Sequence, residues 1–167
     1  MDQSAFYGVM SAVNFTLLGL WWVAVKDRTG LGEGYALSYR TAYLVSLQFL
    51  IPGTVSLLAQ VAPDEPVVWR IAFGLAGVVG AVGIVMLAGE LAKRSGMRFA
   101  PTVFLVMGVP LYVLVSVVSL LPAPTSPDVA LTPIQIEALL LSLIVFMGAQ
   151  EAWVVSMAPP RAADSEP

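Results

Sequence analysis

Two glutamates near the C-terminal end of the chain have the side chains and spacing best suited to chemistry. Glu137 and Glu151 are fourteen residues apart, which on an α-helix places them about 40° apart around the axis and about 21 Å apart along it. Three apolar residues, Leu140, Ile144 and Met147, lie between them on the same face. We call these five residues the acidic stripe. If several copies of the helix met around an axis, two carboxylate rings would flank an apolar constriction, which is typical of cation-selective pores.

A static role is the alternative for the same two carboxylates. Glu137 lies near the start of a predicted helix, where negative charge is favourable. Glu151 lies at about the depth of Arg40 and Lys26, either of which is a possible ion-pair partner. A carboxylate at this depth needs water, a cation or a basic partner, because an unpaired buried charge is costly. The sequence leaves the pore and the ion pair as alternatives.

Polar side chains inside apolar segments are a second group of candidates. Asn14 and Gln48 lie within the first and second segments, where a polar group is expensive and is often functional. For Asn14 the alternative is a structural hydrogen bond between helices. Glu90 lies three residues before Lys93, so an ion pair at the membrane interface is expected there.

Small residues gather on one half of the third segment and predict a close helix contact. The members chosen as packing residues are Ala72, Ala76, Gly80 and Gly83. Small side chains let membrane helices approach closely, while the opposite half is branched and suits lipid. One interpretation is that this face forms a tight oligomer contact or lines a pore. The alternative is that the third segment is the central helix of its own bundle. Pro52 and Pro110 predict kinks in the second and fourth segments.

The composition explains why these residues must act inside a membrane. The chain has 167 residues, 58% hydrophobic and 11% charged, whereas soluble domains carry about 25% charged residues. It has no Cys and no His, which excludes disulfides, thiolate nucleophiles and His-ligated or Cys-ligated metals. We therefore predict no catalytic residue, no cofactor and no metal site. The net charge of −3 gives no reason to expect nucleic-acid binding.

Five apolar segments carry these residues, and each is long enough to cross a bilayer, which takes about 20 helical residues. They cover approximately residues 5–25, 39–61, 66–92, 101–121 and 133–157. The last begins with Thr132, Pro133 and, three residues after the threonine, Gln135, a pattern typical of a capped helix start. The predicted fold is an all-α bundle of five transmembrane helices in a single domain, 1–158, followed by a short disordered tail, 159–167.

The distribution of basic residues predicts the orientation. Seven of the eight fall on one side of the predicted membrane: Lys26, Arg28, Arg40, Lys93, Arg94, Arg98 and Arg161. Only Arg70 falls on the other. Basic residues accumulate on the cytoplasmic side of membrane proteins. We therefore expect a multi-pass protein of the inner or plasma membrane, with its N-terminus outside and its C-terminus in the cytoplasm.

Three functions are compatible with these observations, and none is enzymatic. The first is a homo-oligomeric channel or pore that conducts cations. The second is a non-catalytic accessory or assembly subunit of a larger membrane complex, and the third is a small-solute transporter. The expected partners are the lipid bilayer and either further copies of the chain or another membrane protein. The channel is preferred because the chain combines a small-residue packing face with membrane glutamates on one helix face.

Overall fold

The computed structural model describes residues 3–26, 28, 37–61, 65–93, 99–122 and 131–157. Five helices make up this part of the chain, and all are long and apolar enough to cross a bilayer. They are α1 (Gln3–Val25), α2 (Tyr39–Val61), α3 (Pro66–Ala92), α4 (Phe99–Ser119) and α5 (Pro133–Ser156). The prediction of an all-helical fold with five helices long and apolar enough to span a membrane is confirmed. The predicted tail lies outside the described residues.

The helices form a closed ring, and the most extensive packing across it is between α2 and α5. Each helix packs against the next in the chain, α5 packs back against α1, and α2 also contacts α5. Helix α2 therefore has three neighbours, and twelve of its residues are buried. The interpretation that placed α3 at the centre of the bundle is wrong. The reason is that the branched half of α3 faces outward, with Leu75 and Val78 exposed, so only its other half is available for packing.

Proline affects α2 and α4 differently. In α4 a π-helical turn, Phe104–Gly108, directly precedes Pro110. Proline has no N–H, and its ring crowds the carbonyl four residues earlier, so a widened turn is the expected local response. Helix α2 continues through Pro52. Because Pro52 donates no hydrogen bond, the backbone carbonyl of Gln48 loses its usual donor.

Polar contacts at the helix ends fix how the helices meet. The predicted capping pair at the start of α5 is present, with the Thr132 N–H donating to Gln135 Oε1 at 2.9 Å. At the other end of α5, the Arg28 guanidinium donates to the Ser156 carbonyl, where a cation is favourable. Between α1 and α2, Trp21 Nε1 donates to the Ala42 carbonyl at 3.0 Å.

Lys26, Arg28, Arg40 and Lys93 all lie at one end of the bundle, which we call the basic end. There Glu90 Oε1 pairs with Lys93 Nζ at 3.1 Å and with Arg40 Nη1 at 3.3 Å. The ion pair expected between Glu90 and Lys93 is thus confirmed, and Arg40 joins it from α2. The starts of α1, α3 and α5 lie at the opposite end.

Candidate functional site

Glycines on α3 bring α3 and α4 into very close contact. A Cβ built at Gly77 would lie 2.5 Å from the Tyr112 carbonyl oxygen and 2.8 Å from the Ser116 nitrogen. A Cβ at Gly80 would collide with Cδ1, Cε1 and Cζ along one edge of the Tyr112 ring. Of the four predicted packing residues, the structure buries Gly80, Gly83 and Ala76, whereas Ala72 is half-buried. Their close neighbours belong to the chain's own helices.

Next to the close contact of α3 with α4 lies a buried hydrogen bond that joins α2 to α4. The Tyr112 hydroxyl donates to Gln48 Oε1 at 2.8 Å. Gly83 of α3 faces the Gln48 amide, with a built Cβ 3.6 Å from Nε2. Gly148 of α5 faces it from another side, with a built Cβ 3.1 Å from the Gln48 Cβ. The pair is therefore enclosed by glycines of two helices, with Gly80 against the ring.

Glu151 lies on α5 one turn after Gly148, which packs against Gln48, and it is 0% exposed. Neither of its carboxyl oxygens has a hydrogen-bond partner in the part of the chain that the structure describes. Tyr112 is within electrostatic range of Glu151, but its single hydroxyl proton is directed to Gln48. Arg40, one of the expected ion-pair partners of Glu151, is bound to Glu90 instead. The structure thus holds a buried carboxyl with no fixed partner at this position.

Glu137 is the corresponding carboxyl near the opposite end, and it too is 0% exposed. Both of its oxygens lack a hydrogen-bond partner among the described residues. Tyr7 of α1 is within electrostatic range, although its hydroxyl donates to the Ile134 carbonyl at 2.7 Å. The Tyr7 ring also packs edge-on against Phe73, with ring centroids 6.2 Å apart. Glu137 therefore lies among the helices and not in an exposed headgroup zone.

The acidic stripe as a whole faces the interior of its own bundle. Leu140, Ile144 and Met147 are buried together with the two glutamates, because α1, α2 and α4 all pack against α5. An axis shared between copies would need this stripe on the surface of the single chain. The five residues share one buried face of α5, as their spacing predicts, but helical phase alone does not distinguish a chain's own core from an axis between copies.

Two further buried oxygens extend the polar interior. Asn14 is fully buried, and its Nδ2 donates to the Met10 carbonyl of its own helix at 2.8 Å. Its Oδ1 and the Ser56 Oγ have no partner within the described ranges, so Asn14 makes no hydrogen bond between helices there. At 1.5 Å per residue along each helix, the depth of a group can be measured from the end of the bundle opposite the basic end. The depth is about 6 Å for Glu137, about 8 Å for Ser56, about 17 Å for Asn14 and about 27 Å for Glu151. Unpartnered oxygens thus recur along the depth of the bundle.

Two of these residues, Ser56 and Tyr112, are not among the sequence candidates. Tyr112 is a hydroxyl-bearing aromatic residue inside the apolar fourth segment, two residues after Pro110, and that position is a usable signal. Many serines in membrane helices donate to a backbone carbonyl of their own helix. The residue type and spacing of Ser56 therefore do not mark it as a candidate. Asn14 and Gln48, which were predicted, both lie in the buried polar interior.

Comparison with known proteins gives no family. No family model, curated protein or solved structure matches the chain significantly. Among the described residues, no group of three or more acidic side chains is placed to hold a metal ion. The function must therefore be argued from the buried polar residues themselves.

Proposed function

We propose that the protein conducts a monovalent cation, H⁺ included, through the interior of its own five-helix bundle. The observation that carries the proposal is the pair of carboxyls on α5, both 0% exposed and both without a hydrogen-bond partner in the described chain. Asn14 and Ser56 add unpartnered oxygens between them in depth. Such groups inside a membrane typically mark ion pathways and proton relays.

The energetic argument is that these groups are unfavourable in the closed structure. Each buried polar group without a partner costs about 1–3 kcal/mol, and apolar side chains of similar size are often as stable or more so. A purely structural bundle gains nothing from Glu137 and Glu151. The groups become favourable when a cation, a proton or water reaches them, which is what conduction requires.

The apolar part of the acidic stripe supplies the barrier between the two carboxyls. Leu140, Ile144 and Met147 are buried and separate the glutamates by about 21 Å along the helix. A narrow apolar segment excludes water and conducts only when it is transiently hydrated. Conduction through this interior is therefore expected to be slow and gated, unlike that of an open pore.

Conduction should need only one chain, and reconstitution at limiting density tests this. The protein is inserted into liposomes at decreasing protein-to-lipid ratios, and cation flux is read with a trapped pH-sensitive or Na⁺-sensitive dye. With an interior pathway, the fraction of conducting vesicles follows the Poisson fraction that holds at least one chain. A pore shared between copies would instead lose activity much more steeply on dilution, and that dependence would contradict the proposal.

We also propose that the basic end faces the cytoplasm of the inner or plasma membrane, with the N-terminus outside. Lys26, Arg28, Arg40 and Lys93 lie together at that end, whereas Arg70 lies near the opposite end, over the Trp69 ring at 5.2 Å. A reporter fused after Pro167 should be active only in a form that requires the cytoplasm. Activity of an extracytoplasmic reporter at the same position would reverse the topology.

An accessory subunit is the second candidate, and α1 is the feature that favours it. Only six residues of α1 are buried, and its outward face contains Ala12, Thr16 and Gly19, which are exposed. A Cβ at Gly19 would meet nothing within 4 Å, so a partner helix could approach closely there. Vesicles that conduct no cation at any protein density would favour this function.

A further inference from the structure

We propose that Gln48, Tyr112 and Glu151 form a proton-binding site in which Glu151 carries the proton and Tyr112 is a positioning residue. The proposal rests on the proposed conduction and names its ion as H⁺. The three residues come from α2, α4 and α5, and all are buried. Glu151 is the member with free oxygens, whereas Tyr112 and Gln48 are bound to each other.

A proton suits this site better than a metal cation. A carboxyl oxygen accepts a proton without additional space, whereas hard metal cations need a shell of about six oxygen ligands. The Gln48 side-chain oxygen already accepts a hydrogen bond from Tyr112. Glu151 is thus the one member of this site with acceptor oxygens free of a hydrogen bond.

The charged groups on the neighbouring helices are engaged elsewhere or lie at the helix ends. From α2, Arg40 pairs with Glu90. From α1, Lys26 follows the last helical residue, and Arg28 beyond it donates to the Ser156 carbonyl. From α4, the titratable neighbour is Tyr112. Tyr112 is therefore a neighbour whose hydroxyl can respond to the charge state of Glu151.

The hydroxyl of Tyr112 acts as a two-position donor. While Glu151 carries its proton the carboxyl is neutral, and the hydroxyl donates to Gln48 as described. When Glu151 passes the proton to a water molecule, a hydronium ion and a carboxylate result. A carboxylate is a stronger acceptor than an amide. The charged Glu151 side chain, which has no hydrogen-bond partner in the described structure, therefore moves toward the hydroxyl, which then donates to it and releases Gln48. The tyrosine O–H bond stays intact throughout, and only its acceptor changes.

The surrounding glycines fix the Tyr112 ring, so this change consists of a rotation of its hydroxyl and a movement of the Glu151 carboxylate toward it. Gly80 lies directly against the Tyr112 ring, and Gly83 and Gly148 lie against Gln48. The Tyr112 ring and Gln48 stay in place when the proton moves, and the Glu151 side chain supplies the movement. Glu151 is five residues from the end of α5, about 8 Å along the axis. Water from the basic end therefore has the shorter path to the site.

Infrared spectroscopy of the full chain in lipid tests the site without requiring flux. As the pH rises at constant Na⁺, a protonated-carboxyl C=O band should disappear. The part of this band that belongs to Glu151 should be absent from Glu151→Gln. It should be present in Glu137→Gln and in Glu90→Gln, whose carboxyl lies in the ion-paired cluster at the basic end. Far-ultraviolet circular dichroism verifies that each variant is folded.

The positioning role of Tyr112 has its own readout, the amide C=O band of Gln48. This band is assigned by its loss in Gln48→Met. In the wild type it should move to higher frequency when Glu151 loses its proton, because the hydrogen bond from Tyr112 is withdrawn. In Tyr112→Phe, which keeps the ring, it should start at the higher frequency and not move. A Gln48 band that titrates equally in Tyr112→Phe would overturn this role.

The remaining outcomes separate the site from conduction. A carboxyl band that is unchanged by Glu151→Gln, or one that responds to Na⁺ at constant pH, overturns the proton-binding site. A titrating Glu151 band in vesicles that conduct nothing supports the site and contradicts the proposed function. Cation flux without any titrating carboxyl supports the proposed function and overturns the proton-binding site.

Discussion

Replacing Gly80 with leucine is expected to destabilise the bundle by about 3 kcal/mol or more, as severe overpacking does. A Cβ at this position already collides with the Tyr112 ring, and a leucine side chain is much larger. At Gly77, one turn away, the obstacle is the backbone of α4 itself. A small shift of α3 therefore cannot relieve the clash between the new side chain and the Tyr112 ring. The measurement is thermal unfolding in mild detergent.

Two substitutions on the same helix are matched controls. Gly89→Leu changes the same residue type where a built Cβ meets nothing within 4 Å. Val78→Leu enlarges a side chain that is 58% exposed on the outward half of α3. Both should unfold within a few degrees of the wild type. If Gly80→Leu behaves as they do, the close contact between α3 and α4 is not what holds this part of the bundle.

Replacing Glu151 with leucine is expected to raise stability while it strongly reduces conduction. The substitution removes a buried carboxyl that has no hydrogen-bond partner in the described structure, which should stabilise the bundle by about 1–3 kcal/mol. Cation flux into liposomes should fall by about 100-fold, the lower range of what a positioned proton-transfer group contributes. The distinguishing feature is that stability rises while flux falls, because replacement of a purely structural residue would lower both.

Glu90 provides the contrasting control for this prediction. Its carboxylate pairs with Arg40 and Lys93 near the bundle surface. Partly exposed ion pairs contribute about 0–1 kcal/mol, so Glu90→Gln should lower stability slightly and leave flux unchanged. Glu151→Leu with reduced stability and unchanged flux would indicate that Glu151 has a structural partner, and would favour the accessory subunit.

The sequence by itself determined the features that depend on neighbours along the chain. Hydropathy over about 20 residues locates a span without reference to any other helix, and the predicted segments match the five helices to within two residues at each end. The capping pair of Thr132 and Gln135, the ion pair of Glu90 and Lys93, and the small-residue half of α3 are equally local. In each case the partners lie within a few turns of one helix, so their spacing fixes their geometry.

The tertiary structure decided which helix covers each face, and this changed the interpretation of the candidate site. Helical periodicity placed the acidic stripe on one side of α5, but only the packing of α1, α2 and α4 puts it inside the chain's own bundle. The bond between Gln48 and Tyr112 joins residues 64 positions apart, and Arg40 binds Glu90 instead of Glu151. Such contacts depend on the order of the helices around the ring, for which periodicity within one helix carries no information.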